Sequence, residues 1–174
     1  MKYWLMKSEP ESFSIDDLKN AKNSTSCWDG VRNYQARNFM RDDMQPGDRV
    51  LFYHSNCAEP AVAGAAEVAG TPYPDHTAFD PSSKYYDPKS APENPTWVMV
   101  DIKYTQKFKV PVTLRRIRAE EALKDMLLVR KGMRLSIQPV TENEYKTVLG
   151  LAAQAEREDD DYSFKRPEVS GHRL

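Results

Sequence analysis

Apolar and polar positions change period several times along this chain. "KYWLMK" (2–7) is a short run of aromatic and aliphatic residues and reads as a strand. "SIDDLKNA" (14–21) reads as a short helix, with Ser14 as its N-cap and Asp16 and Asp17 in the first turn, where the helix dipole favours acids. Residues 33–44 form a second helix. In "PGDRVLFYHS" (46–55) a turn leads into a strand that is apolar on both faces, with Val50 and Phe52 on one and Leu51 and Tyr53 on the other. Such a strand belongs inside a sheet. "AVAGAAEVAG" (61–70) is a strand of small residues that lets another backbone approach closely.

Residues 73–95 hold prolines at 74, 81, 88, 92 and 95 and break every period. "FDP" and "YDP" recur there as a local echo, not as a structural repeat. A long segment of this kind inside a compact domain is functional or disordered; its tyrosines and Phe79 argue for an ordered loop wrapped over the surface. "TWVMVDIKYTQKF" (96–108) is the longest strand signal. Residues 113–128 read as a helix and "RLSIQPV" (134–140) as a strand. "TENEYKTVLGLA" (141–152) opens on a capping box, Thr141 and Glu144, and buries Tyr145, Val148, Leu149 and Ala152 at helical spacing. The expected fold class is α+β, a small mixed β-barrel, partly open, flanked by helices. Residues 1–155 form the domain, and 156–174 are expected as a flexible tail.

Composition narrows the picture. Hydrophobic residues make up 40% of the 174, mean hydropathy is -0.73, net charge is -1 and the pI is about 6.3. A protein that coats phosphate backbone is strongly basic, so this is not a general coating protein. Residues 103–134 nevertheless hold ten Lys/Arg against three Asp/Glu, and 142–161 restore neutrality with seven acids against two bases. The basic stretch is either a solvated helix face or a phosphate-facing patch. Cys27 and Cys57 are the only cysteines and read as reduced thiols. The N-terminus reaches charge and proline too soon for a signal peptide, and no apolar run approaches the roughly 18 residues that span a bilayer. A cytoplasmic protein (nuclear in a eukaryote), monomeric or weakly dimeric, with no membrane partner, is expected.

"WDGVRNYQARNFMR" (28–41) carries the densest chemistry. In the helix over 33–44, Tyr34, Arg37, Asn38 and Arg41 share one polar, aromatic and cationic face. That face is either solvated, with Asn33 capping it, or a binding face. Trp28 lies upstream in a polar loop, where an indole packs on the core or walls a site. "HSNC" (54–57) leaves the central strand, and "KSEP" (7–10) leaves the first. His54 and Ser55 point to opposite faces and cannot share a proton directly. No second pair of histidines or cysteines has zinc-ligand spacing, and no phosphate-loop or dinucleotide motif is present, so no metal or cofactor is expected.

The phrases "YWLMKSEP", "WDGVRNYQARNFMR", "GDRVLFYHSNC", "YPDHTAFDPSSKYYDPKS" and "RLSIQPV" resemble the EVE domain family, over residues 3 to about 152. The family sits in the PUA-like superfamily beside the YTH and ASCH domains. The resemblance implies a PUA-like small β-barrel flanked by helices. It also implies a non-catalytic module that binds DNA or RNA carrying a modified base, flipped out or single-stranded. Carried over by position, it implies Trp28 as a stacking wall, with Tyr34 and His54 as second walls. Asn33, Ser55 and Asn56 would read the base edge, and Lys7 and Ser8 would rim the pocket. Arg32 and Arg37 would hold flanking phosphates. The alternatives are an enzyme on a base or nucleotide, using His54 or His76 with Asp75, and a protein-interaction module.

Overall fold

The computed structural model describes residues 1–165. Seven strands form one mixed sheet: β1 (Tyr3–Ser8), β2 (Thr25–Trp28), β3 (Arg49–His54), β4 (Ala61–Val68), β5 (Tyr73–Pro74), β6 (Val98–Thr113) and β7 (Ile137–Val140). Their order is β2-β6-β4-β3-β1-β7, with β5 paired to β6 off this path. Only β1 and β3 run parallel, in the register Lys7↔Tyr53 and Ser8↔His54. The helices are α1 (Ile15–Asn20), α2 (Tyr34–Asn38), α3 (Leu114–Ala119) and α4 (Glu142–Lys165).

Alternation along the central strands sorts side chains into two cores. Trp4, Met6, Val50 and Phe52 face one core with Ile15, Leu18, Ala36, Met40, Val100 and Ile102. Leu5, Leu51 and Tyr53 face the other with Phe108, Ile117, Leu123, Tyr145 and Val148. Burial on both faces is what the apolar run 50–53 predicts. The sheet curls around the first core. Trp28 on β2 and Phe52 on β3 are three strands apart, roughly 14 Å in a flat sheet, yet their rings meet edge to face at 5.5 Å.

The expected barrel is corrected here: the sheet curls but does not close. β2 and β7, four residues each, end the strand order and pair on one side only. Pro139 within β7 has no N–H to offer a further strand, which suits an edge. Side chains of α2 and its continuation, Ala36, Met40 and Met44, fill the first core.

Several local expectations hold. Ser14 caps α1 with a reciprocal box to Asp17, and Thr141 and Glu144 do the same for α4. Four others shift. The helix over 33–44 is α-helical only to Asn38 and continues as a π-turn over Phe39–Asp43. The helix over 113–128 stops at Ala119, where Glu120 turns extended and accepts the N–H of Ala122, and two 3-10 turns follow. In α4 the buried stripe runs through Tyr145, Val148, Leu151 and Ala152, with Leu149 only partly buried. The helix also runs ten residues beyond 155, and Lys109 on β6 pairs with Asp159 and Asp160 there. The rest of the expected tail, 166–174, lies outside the described residues. No helix among the described residues is long and apolar enough to cross a membrane.

Gly64 shows why β4 is built of small residues. A Cβ added there would collide with the backbone carbonyl of Gln106 on β6 and press on Ile15 of α1. Backbone on one side and core on the other leave little room to give. Gly64→Ala should therefore cost about 1–3 kcal/mol, measured as a lower urea midpoint at unchanged m-value.

Candidate functional site

The loop 29–33 joins β2 to α2, and a single carboxylate fixes it. Asp75 is 0% exposed. It accepts from the N–H of Gly30 (2.9 Å), from Arg32 Nη1 (2.9 Å), and from the N–H (2.9 Å) and hydroxyl of Thr77. Burial alone would push its pKa up. Hydrogen bonds from Thr77, Gly30 and Arg32 outweigh that and hold it below the usual carboxylate range.

Arg32 answers in kind. Nε and Nη2 donate to Tyr85 O (3.0 and 2.8 Å), Nη1 also to Val31 O (2.9 Å), and Nη2 also to Thr77 Oγ1 (3.2 Å). With the Asp75 bond, all five guanidinium N–H groups are engaged inside the fold. The expectation that Arg32 holds a phosphate is thus corrected: it has no donor left to offer. Its Cζ lies over the rings of Tyr85 (5.5 Å) and Trp97 (5.4 Å). Gly30 completes the lock. Its φ is +76°, and a Cβ there would fall within 2.7 Å of three Tyr85 ring atoms.

α2 begins at this lock. Asn33 Oδ1 accepts the N–H of Ala36 at 3.1 Å, so its side-chain oxygen is used as the N-cap. Tyr34 is 62% exposed, and its ring lies 4.9 Å from that of Trp97. Arg37 donates from Nη1 to Thr96 O (3.0 Å) and from Nε and Nη2 to Asn38 Oδ1 (3.1 and 2.8 Å).

The ends of β1 and β3 form the second cluster. Ser8 and His54 are register partners and face the first core. Ser8 Oγ donates to Phe13 O (2.7 Å), and the N–H of Ser55 donates to Ser8 O (2.9 Å). Asn56, at φ +49°, donates to Glu9 Oε1 (3.2 Å). His54 Nε2 accepts the N–H of Ile15 at 3.1 Å, so the neutral ring carries its proton on Nδ1. Burial pushes the His54 pKa down, with Lys107 acting in the same sense and Asp16 against it. Its ring stands edge-on to Phe52 at 5.6 Å.

Two further expectations are corrected. Trp28 is only 8% exposed and packs on Phe52, so it is a member of the first core rather than an open wall. Lys7 pairs with Tyr53 and projects to the opposite face of the sheet, its ammonium 5.9 Å from the Tyr53 ring. It does not share the sheet face of Ser8. Ser8, His54, Ser55 and Asn56 are brought together, Asn33, Tyr34 and Arg37 sit along α2, and Lys7 stands apart. Sequence reasoning missed Phe13, Glu9 and Tyr85. The enzyme alternative pairs Asp75 with His54 or His76, whereas the carboxylate is consumed by the loop lock and His76 is exposed. The signal was present: an Asp two residues before a Thr, as in "DHT", favours an Asx turn. Among the described residues no three His, Cys, Asp or Glu side chains gather to hold a metal.

A family model described as "EVE domain" matches residues 2–151. Human thymocyte nuclear protein 1 is 46% identical over 166 residues, covering 86% of this chain and 73% of its own. A hypothetical protein from Leishmania major superposes with a TM-score of 0.85 at 48% identity, over 90% of this chain and 97% of that one. The crystal structure of human THYN1 in complex with DNA containing 5-methylcytosine superposes with a TM-score of 0.83 at 44% identity, over 87% of this chain and 98% of that one.

Asp75→Asn should lower stability by about 3–5 kcal/mol, because it strands a largely buried guanidinium. The sign with pH follows from the lowered carboxyl pKa. Its stabilisation is complete above the ordinary value of about 3.9 and is lost as pH falls through the lower folded value. Urea melts from about pH 5 down to pH 2.5 should show a stability slope in the wild type that is shallower in Asp75→Asn.

Proposed function

Since the chain belongs to the EVE domain family, we propose that it is a non-catalytic reader of nucleic acid carrying a modified base. The observation that carries this reading is the human relative held in complex with 5-methylcytosine DNA, alike in fold over almost its whole length. The site chemistry supports it. We read the cluster at the ends of β1 and β3, together with the loop 29–33, as a slot for one flipped-out base. Phe13, the His54 ring and the edge of Trp28 supply apolar surface.

Extruding a base costs a few kcal/mol, least from a strand already single. Stacking on an aromatic wall offsets about 1–3 kcal/mol of that. A cytosine edge presents both donors and acceptors. The Ser55 hydroxyl can do either, the Asn33 amide nitrogen and His54 Nδ1–H donate, and loop carbonyls accept. The slot is rigid because the Asp75 lock fixes one side and the Ser8–Phe13 and Ser55–Ser8 bonds fix the other.

Anisotropy titrations with paired oligonucleotides, one 5-methylcytosine against one cytosine, test this reading. A methyl group buried in the slot is worth about 0.8 kcal/mol, roughly fourfold in affinity. The modified strand should bind tighter by that factor or more. Ser55→Tyr, which puts bulk at the slot, should erase the difference while the melting curve stays cooperative. Equal binding of both strands by the wild type, unmoved by Ser55→Tyr, would remove the reading.

A further inference from the structure

An exposed aromatic ring is normally free to turn, yet Tyr34 is held from behind. Its ring lies 4.9 Å from Trp97 at 31°, and the Arg37 guanidinium lies 4.9 Å from its centroid. Arg37 is also 5.8 Å from the Trp97 ring, and Trp97 is buried. Trp97 in turn is fixed by its Nε1–H to Asp87 at 2.7 Å and by Arg32 over its face. The ladder Tyr34, Trp97, Arg32, Tyr85 thus ends in the Asp75 lock. Tyr34 keeps 62% of its surface open despite this backing.

The open Tyr73 differs: its hydroxyl is held by Asp101 at 2.6 Å. Tyr34 stands one residue beyond Asn33, where the loop beside the slot becomes α2. Three of the five Arg37 N–H groups have bonds within the fold, so two remain beside the ring. Asp42, the acid nearest to Arg37 along the chain, is paired with Arg41.

We propose that Tyr34, backed by Trp97 and Arg37, is a stacking platform for an unpaired nucleobase next to the one in the slot. This rests on the reader function. The ring meets the π-face that every base has, so the platform adds affinity without regard to sequence or modification. Pre-ordering of the ring lowers the entropy lost on contact. The two remaining Arg37 donors suit the phosphate that joins the two nucleotides.

Single-stranded oligonucleotides with 5-methylcytosine or cytosine, each with an intact or abasic neighbour on either side, test the platform. Tyr34→Ala should weaken both intact strands by the same factor, between roughly 5- and 150-fold. Tyr34→Phe, which keeps the ring, should bind like the wild type. With the correct neighbour made abasic, wild type and Tyr34→Ala should bind alike. Unchanged affinity in Tyr34→Ala overturns the platform, and so does a Phe variant as weak as the Ala variant. Loss confined to the methylated strand would place Tyr34 in the slot and also overturn it. The slot reading is judged separately by Ser55→Tyr: a retained methyl preference in wild type, lost in that variant, leaves the slot standing whatever Tyr34 does.

Discussion

One buried carboxylate organises this molecule's polar surface. Asp75 has no solvent exposure and answers donors from two loops far apart in sequence. Without Arg32 it would be an uncompensated charge, and without Asp75 the guanidinium would be one. Their pairing pins the loop 29–33 against the proline-rich segment, seats Tyr85 over Gly30, and backs Trp97 with a cation. The start of α2, the exposure of Tyr34 and one side of the proposed slot all follow from that contact. A buried ion pair of this kind gains its use from geometry more than from net stabilisation.

The curl of the sheet supplies the other side. Alternation sends Ser8 and His54 toward the core that contains Trp28, and it sends Lys7 and Tyr53 away from it. Because β1 and β3 run parallel, their C-terminal ends lie side by side, and the chain leaves both at the same rim. Hence the Ser8–Phe13, Ser55–Ser8 and Asn56–Glu9 hydrogen bonds form in one place. A parallel pair inside an otherwise antiparallel sheet is what gathers two polar exits into one cluster.

What could be read from the sequence was local. The strands at 2–7, 46–55 and 61–70 announce themselves by period. The caps at Ser14 and Thr141 do so by short-range chemistry. The two-faced burial of β3 was legible in four residues. What was not legible depends on distance along the chain. Arg32 meets a carboxylate 43 residues away, and no pattern near Arg32 says that its donors are spent. Trp28 reaches the core because the sheet curls, which a four-residue edge strand does not reveal. The end of α4 carries no apolar stripe, so its helicity past 155 had no hydrophobic signal. Lys7 is a different case. The alternation that separates His54 from Ser55 also separates Lys7 from Ser8, and applying it to both strands would have placed Lys7 correctly.

The charge pattern bears on how such a surface can recognise anything. Four of the ten cations in the basic stretch 103–134 are paired within the fold: Lys107 with Asp16, Lys109 with Asp159 and Asp160, Arg115 with Glu59, and Lys124 with Glu121. Arg32 is fully engaged and Arg37 partly so. A chain with a net charge of only -1 has little overall field with which to gather phosphate backbone. The proposed reading of a base would then rest on short-range terms, ring against base and donor against acceptor. Those terms need walls that do not move. The Asp75 lock, the Trp97 ladder and the bonds at the ends of β1 and β3 supply such rigidity, and the loop 29–33 is accordingly bonded densely to Asp75, Thr77 and Tyr85.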